Sequence, residues 1–421
     1  MFMVRDNYSY LSHLECPKCE RIYHSTEVQQ LCSCGSPLLA RYDLENLSKD
    51  WDPASLKDRE KNLWRYHELL PVQQPQHVVC LGEGMTPLLR MPSLGMDMSI
   101  PKLYMKDESL MPSGSYKARG AAVGISKAKE LGIERFVMPS NGNAGAAWSL
   151  YAARGGLSSS VVMPVHAPPI TRDECIAAGA ELLLVKGLIS DAGRIVAEKV
   201  KREGIYDTSA LKEPYRIEGK KTMGFEIIEQ MNFEVPDVIL YPTGTGAGLI
   251  GIHKALQELQ EIGWISGPLP RLVAVQSEGC APIVKAWENQ QTESMFWEQS
   301  STEARGIHVP KTIGDFLVLD AIYQTGGAAI SVTDEEISAE QDQVTRMEGS
   351  FLCPEGAAAF AAARVLRSNG WIEEEEKVVV LNTGSGLKYP RISSNEDMLL
   401  NPEEALTSYA FKEQAPSIIK G

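Results

Sequence analysis

The chain has 421 residues, 43% of them hydrophobic and 23% charged, with a formal net charge of −14 at pH 7. That length allows two core-bearing domains and a small appendage. The acidic balance disfavours non-specific binding to nucleic acid or anionic lipid, since both need an excess of Lys and Arg.

The opening segment, MFMVRDNYSYLSHLEC, has no apolar core of signal-peptide type, and later apolar runs such as VVVL are too short to span a bilayer. A cytosolic, non-membrane protein is expected. Cys16 and Cys19 form one close pair, and Cys32 and Cys34 another. Four thiolates at such spacing suit one structural Zn²⁺, with every coordination position filled, in a segment too small to hold a core. The alternative is a degenerate ribbon, empty or closed by a disulfide. The other four cysteines (Cys80, Cys175, Cys280, Cys353) are scattered singly, as reduced thiols are. A charged stretch at 49–70 reads as a linker ending in a helix.

Beyond about residue 78, short β-branched runs alternate with longer helical patterns. ERFVMPS (134–140), SSSVVMPV (158–165), ELLLVKG (181–187), DVILYPTG (237–244), RLVAVQSEG (271–279) and KVVVLNTGS (377–385) read as strands. The segments at 145–156, 170–180, 190–204, 221–231 and 247–264 read as helices, with apolar positions three and four apart. This alternation implies an α/β fold with open, mostly parallel sheets, whose ligands bind in the loops after the strands.

Four loops carry candidate chemistry. In the first, Lys117 follows a Gly/Ser turn and begins a helix. A helix N-terminus is a poor place for a cation, which suits a lysine used as a neutral amine; a surface lysine capped by Ser115 is the plainer alternative. Second, Ser140, Asn141, Gly142, Asn143 and Ala144 form a turn whose amides could take a carboxylate and whose Asn143 side chain could meet a ring oxygen. In the third, Gly244, Thr245, Gly246, Ala247 and Gly248 join a strand to a long helix. Amides there can fold round a phosphate, without the lysine of a nucleotide P-loop or dinucleotide-fingerprint spacing. Last comes Thr383, a strand-end hydroxyl that could bond a heteroaromatic nitrogen or merely cap a turn.

Together a Schiff-base lysine, an amide loop, a phosphate cradle and a strand-end hydroxyl are what pyridoxal 5'-phosphate needs. Their chain order, from about 81 to 389, resembles the fold-type II (tryptophan synthase β-like) pyridoxal-phosphate enzymes. GEGMTPLLR (82–90), RIEGKKTMGFEI (216–227) and TGSGLKYP (383–390) are similar to segments of the threonine-synthase-like branch. The resemblance implies a cysteine-bearing ribbon at 1–50, a linker at 51–80, a larger α/β domain from 81–112 and 211–395, a smaller one at 113–210 carrying the lysine, and a tail at 396–421. It further implies a homodimer that converts O-phosphohomoserine and water to threonine and phosphate. Lys117 would be the catalytic group, and the basic cluster Lys212, Arg216, Lys220 and Lys221 would meet the substrate phosphate, Arg216 and Lys221 foremost, with Lys212 and Lys220 equally readable as a solvated helix face.

Three positions depart from the family's pattern. Ala118, Ser385 and Tyr389 stand where Asp, His and Asp or another residue are common. They leave open a related reaction on O-phosphoserine or a hydroxy-amino acid, by β-replacement or ammonia elimination. A non-catalytic, nucleic-acid-binding protein is disfavoured by the acidic balance.

Overall fold

A computed structural model describes residues 7–389; the tail assigned to 396–421 and the last residues of the larger domain lie outside the described residues. Three sheets organise the described residues. The first is antiparallel, β1 (Leu11–Glu15), β2 (Ile22–His24) and β3 (Leu39–Tyr42), in the order β2-β1-β3. Its buried side chains, among them Leu14 and Leu39, join the main apolar cluster rather than forming a core of their own.

The second sheet has six strands. It takes β4 (Leu88–Arg90) and β5 (Lys102–Asp107) from before Lys117, then β10 (Val238–Pro242), β11 (Arg271–Ser277), β12 (Ala328–Val332) and β13 (Lys377–Asn382). The third has four: β6 (Arg135–Pro139), β7 (Ser158–Pro164), β8 (Glu181–Val185) and β9 (Tyr206–Asp207). All pairs in these two sheets are parallel except β4 with β5. Parallel strands need covered faces, which is why β10 and β13 read as unbroken Val, Ile and Leu runs and are buried along almost their whole length.

The strand orders decide where a ligand can bind. In the order β12-β11-β10-β13-β5-β4 the chain leaves β10 towards β11 and β12 on one side, while β13 returns on the other. In β8-β7-β6-β9 the same divergence occurs at β6. Loops diverging at such a switch point leave a crevice beyond the strand ends. The loops after β10 and β6 are the glycine loop and the asparagine loop.

The segment at 51–80 is not a free linker. Leu63, Trp64, Tyr66 and Leu69 are buried, and Arg65 and Tyr66 bond Glu229 at 2.7 and 2.5 Å. Its expected helix is a 3-10 turn, Leu63–Leu69, with Asn62 capping it through the amide of Trp64. Among the described residues no helix is long and apolar enough to cross a membrane.

Candidate active site

A cavity of about 130 Å³ lies beside these loops, lined by Lys117, Asn143, Arg216, Lys220 and Thr245 together with residues 140–142 and Ala144. Lys117 is the first residue of the helix Lys117–Glu130, after the N-cap Tyr116. Its Nζ donates to the Tyr116 hydroxyl at 2.6 Å.

Ser140 follows β6 and builds the turn. Its hydroxyl accepts from the amides of Gly142 and Gly145 at 3.0 and 2.8 Å, and so is occupied by the loop itself. Asn141 donates to the carbonyl of His308 at 3.4 Å. The helix Asn143–Gly155 then starts, leaving the first-turn amides of Asn143 and Ala144 without helical acceptors. Asn143 Nδ2 donates to the Tyr389 hydroxyl at 2.9 Å, while its Oδ1 is buried and has no partner among the described residues.

After β10, Gly246 has φ +78°, a left-handed conformation that a side chain would strain. It turns the chain into the helix Ala247–Glu261, whose first amides, like those of any helix start, await an acceptor. Thr245 faces the cavity; Gly244, Ala247 and Gly248 shape the loop behind it. Thr383 sits 3.7 Å from the Cys353 sulfur, and its carbonyl accepts from the Tyr116 amide at 3.0 Å. The hydroxyl loop is thereby joined to the lysine loop, but Thr383 is not part of the cavity wall.

One expectation is corrected. Lys221 does not face the cavity. It is fully buried against Glu218 and Glu258, at 2.6 and 2.8 Å, with its ammonium over the Tyr42 ring. Lys220 is the lysine that reaches the cavity beside Arg216. The reason is helical periodicity: in the helix Arg216–Gln230, positions 216 and 220 are four apart and share a face, while 221 turns away. That spacing was readable in the sequence. Arg216 is itself anchored, through Nε to Glu213 at 2.6 Å and through a second nitrogen to the carbonyl of Thr208. Burial, then repulsion from Lys117 and Arg216 against attraction from Glu213, holds the Lys220 amine well below the ordinary lysine range.

The four N-terminal cysteines converge as their spacing suggests. All four sulfurs lie within 4.8 Å of one another, with Cys16–Cys34 and Cys19–Cys32 both at 3.5 Å. Sulfurs so far apart are not disulfide-bonded, since that bond is about 2.0 Å long, and the cluster could hold a metal ion.

Residues 79–384 match the family model described as "Pyridoxal-phosphate dependent enzyme". The chain is 36% identical over 376 residues to a threonine synthase of Methanocaldococcus jannaschii, covering 89% of this chain and 92% of that one. It is 37% identical over 381 residues to a threonine synthase of Methanosarcina acetivorans, covering 90% and 93%. Among solved structures, maize serine racemase superposes with a TM-score of 0.63 at 21% identity, over 72% of this chain and 88% of that one. This last likeness concerns the fold.

Proposed function

This chain belongs to the pyridoxal-phosphate-dependent enzymes, in their fold-type II, threonine-synthase-like branch, and from that premise we propose that it converts O-phosphohomoserine and water to threonine and phosphate at the Lys117 cavity. The observation that carries the reading is the pair of buried basic side chains, Arg216 and Lys220, in a cavity that already has a glycine loop. Backbone amides at the Ala247 helix start can serve one phosphate; the Arg216 guanidinium, with a Lys220 amine that an incoming anion would favour in its protonated form, suits a second.

The residues present fit the cofactor. Asn143 Oδ1 is an orphaned buried polar atom beside the cavity, the glycine loop leaves helix-start amides open, and a lysine amine points in. Lys117 would hold the cofactor's aldehyde carbon, Asn143 the ring oxygen, the loop from Gly244 to Gly248 the phosphate, and Thr383 the ring nitrogen. Bound there, pyridoxal phosphate supplies an electron sink for the substrate's α- and β-carbons. Lys117, when not covalently engaged, moves protons at those carbons. The amides of Asn143 and Ala144, with Ser140, Asn141 and Gly142 shaping the turn, take the substrate carboxylate. Arg216 and Lys220 hold the phosphate and balance its charge as it departs.

A second reading is elimination or replacement at the β-carbon of O-phosphoserine or a hydroxy-amino acid. It is favoured by Tyr389, a departure from the family's pattern whose hydroxyl meets Asn143 at the cavity wall. Phosphate release with product identification, from O-phosphohomoserine and O-phosphoserine side by side, separates the two. Threonine from the former is the expected outcome; turnover of the latter alone transfers the function to β-chemistry.

The reading includes a structural Zn²⁺ held by Cys16, Cys19, Cys32 and Cys34. A tetrahedral ion with Zn–S bonds of about 2.3 Å places its sulfurs about 3.8 Å apart, close to the 3.5, 3.5 and 3.8 Å separations of the cluster. It also includes a cytosolic setting, supported by eight cysteines that are all unpaired.

A further inference from the structure

Tyr116 does more than precede Lys117. Side chains one residue apart in a helix point in different directions, yet these two meet because Tyr116 is the N-cap, one step outside the helix. Its backbone is fixed from both sides: its amide donates to the Thr383 carbonyl at 3.0 Å, and its carbonyl accepts from the Arg119 amide at 3.2 Å. Its ring stands edge-on to the buried Tyr241 of β10, with centroids 6.0 Å apart. A phenylalanine would keep that ring contact. The hydroxyl adds the 2.6 Å bond from Lys117 Nζ, which among the described residues is the hydrogen bond that amine makes. The two amines of the cavity also lie over the same ring, Lys117 at 4.3 Å and Lys220 at 5.0 Å from its centroid.

A lysine amine on a four-carbon stem has many orientations, and only those with the nitrogen lone pair facing the cavity can react. We propose that Tyr116 is a positioning residue for Lys117: its hydroxyl accepts one N–H of the amine whenever that amine is not covalently engaged, and so keeps the lone pair turned to the cavity. No proton changes hands in this role; the phenol remains protonated and the amine keeps its hydrogens. The inference rests on Lys117 being the cofactor lysine, and goes beyond that assignment by naming what orients it.

The test follows covalent capture of pyridoxal phosphate by the full-length apoenzyme, read as the rise of near-violet imine absorbance in rapid mixing across pH. The Tyr116→Phe variant should reach the wild-type final absorbance but form it about tenfold more slowly, the scale of one lost hydrogen bond to a reacting group. Replacing Tyr116 by 3-fluorotyrosine keeps ring and hydroxyl but makes a weaker acceptor. It should capture the cofactor at an intermediate rate, with a displaced pH profile that a purely structural ring would not produce. Wild-type rates and pH profile in both variants would overturn the inference, and if the Phe variant fails to fold, an unaltered fluorotyrosine profile overturns it alone. A wild-type protein that never develops the absorbance would overturn the cofactor assignment as well, so the two failures are distinguishable.

Discussion

Neighbouring lysines on one helix have opposite tasks. Lys220 is buried at the cavity with no carboxylate bonded to its amine among the described residues, whereas Lys221 is enclosed by Glu218, Glu258 and the Tyr42 ring. A buried amine without a partner costs stability, because folding strips its hydration and returns nothing. Lys220→Met should therefore leave the thermal midpoint unchanged or raise it, while increasing KM for a phosphorylated substrate by roughly ten- to a hundredfold through loss of a charge-assisted bond. Lys221→Met should do the reverse. It leaves two buried carboxylates facing the single remaining Lys254 and should cost about 3 kcal/mol of stability. Denaturation and steady-state kinetics on both variants check the contrast. At this same scale, Glu83 in the GEGMTP segment is a packing hub. It accepts from Trp64 Nε1, Tyr151 Oη and the Leu81 amide at 3.1, 2.7 and 2.7 Å, and burial raises its carboxyl above the ordinary value.

The elements that place these residues are held by glycine contact and by buried charge. The helices Lys117–Glu130 and Arg216–Gln230 approach so closely that a Cβ on Gly219 would overlap the Arg119 carbonyl. Beside this contact, Arg119 reaches Glu108 at 2.6 Å and Glu226 at 2.5 Å, and Lys106 from β5 reaches Glu226 at 2.7 Å, all without solvent exposure. Two cations and two carboxylates thus balance, and they fix the first turn of the helix that begins at Lys117. Burial alone would raise the Glu226 carboxyl; Arg119 and then Lys106 outweigh it and bring it from 4.5 down to about 2. A depressed carboxyl stabilises the fold above its unfolded value and loses that contribution as pH falls through its folded one. Glu226 should therefore supply up to about 3 kcal/mol at neutral pH that disappears between pH 4.5 and 2. Urea midpoints measured across that window should fall steeply for the wild type. They should fall less for Glu226→Gln, which starts from a lower stability at pH 7 because Arg119 and Lys106 are left undercompensated.

For the whole molecule, the N-terminal sheet is docked where it can matter to the site. Tyr42 of β3 donates to Glu218 at 2.8 Å, on the helix whose other face carries Arg216 and Lys220. The knuckles that hold the sheet together are short turns, with the Glu20 amide on the Cys16 carbonyl at 2.9 Å and the Gly35 amide on the Cys32 carbonyl at 2.8 Å. Cross-linking them through one ion would stabilise a segment with too little apolar area to order itself. Chelation, or Cys19→Ser, should lower the thermal midpoint by several degrees and release about one zinc per chain by elemental analysis. Protein purified without metal and with an unchanged midpoint after chelation would remove the ion from the account.

Much of this was written in local sequence. Strands at 134–140, 158–165, 181–187, 237–244, 271–279 and 377–385 are visible as β-branched runs, and the loops that follow three of them hold the asparagine turn, the glycine cradle and Thr383, because a parallel strand must end in a turn whose chemistry is local. The helical phase separating Lys220 from Lys221 was equally local, though it takes the cavity to say which phase matters. β5 and β12 were not legible: KLYMKD carries Lys106, which the buried charge cluster makes tolerable inside a sheet, and Asp107, which accepts from the Ser109 amide and Asn382, and AAISV is too poor in large side chains to stand out. Nor could the stretch at 51–80 be seen as a packed layer, since its partner Glu229 lies far along the chain. The sequence by itself determined which chemical groups are present, in what order, and on which strand ends and helix starts. Only the tertiary structure decided which of them meet, because burial and pairing between distant residues set the final surroundings of each charge: Lys220 at the cavity, Lys221 in the core, and Tyr116 against the amine of Lys117.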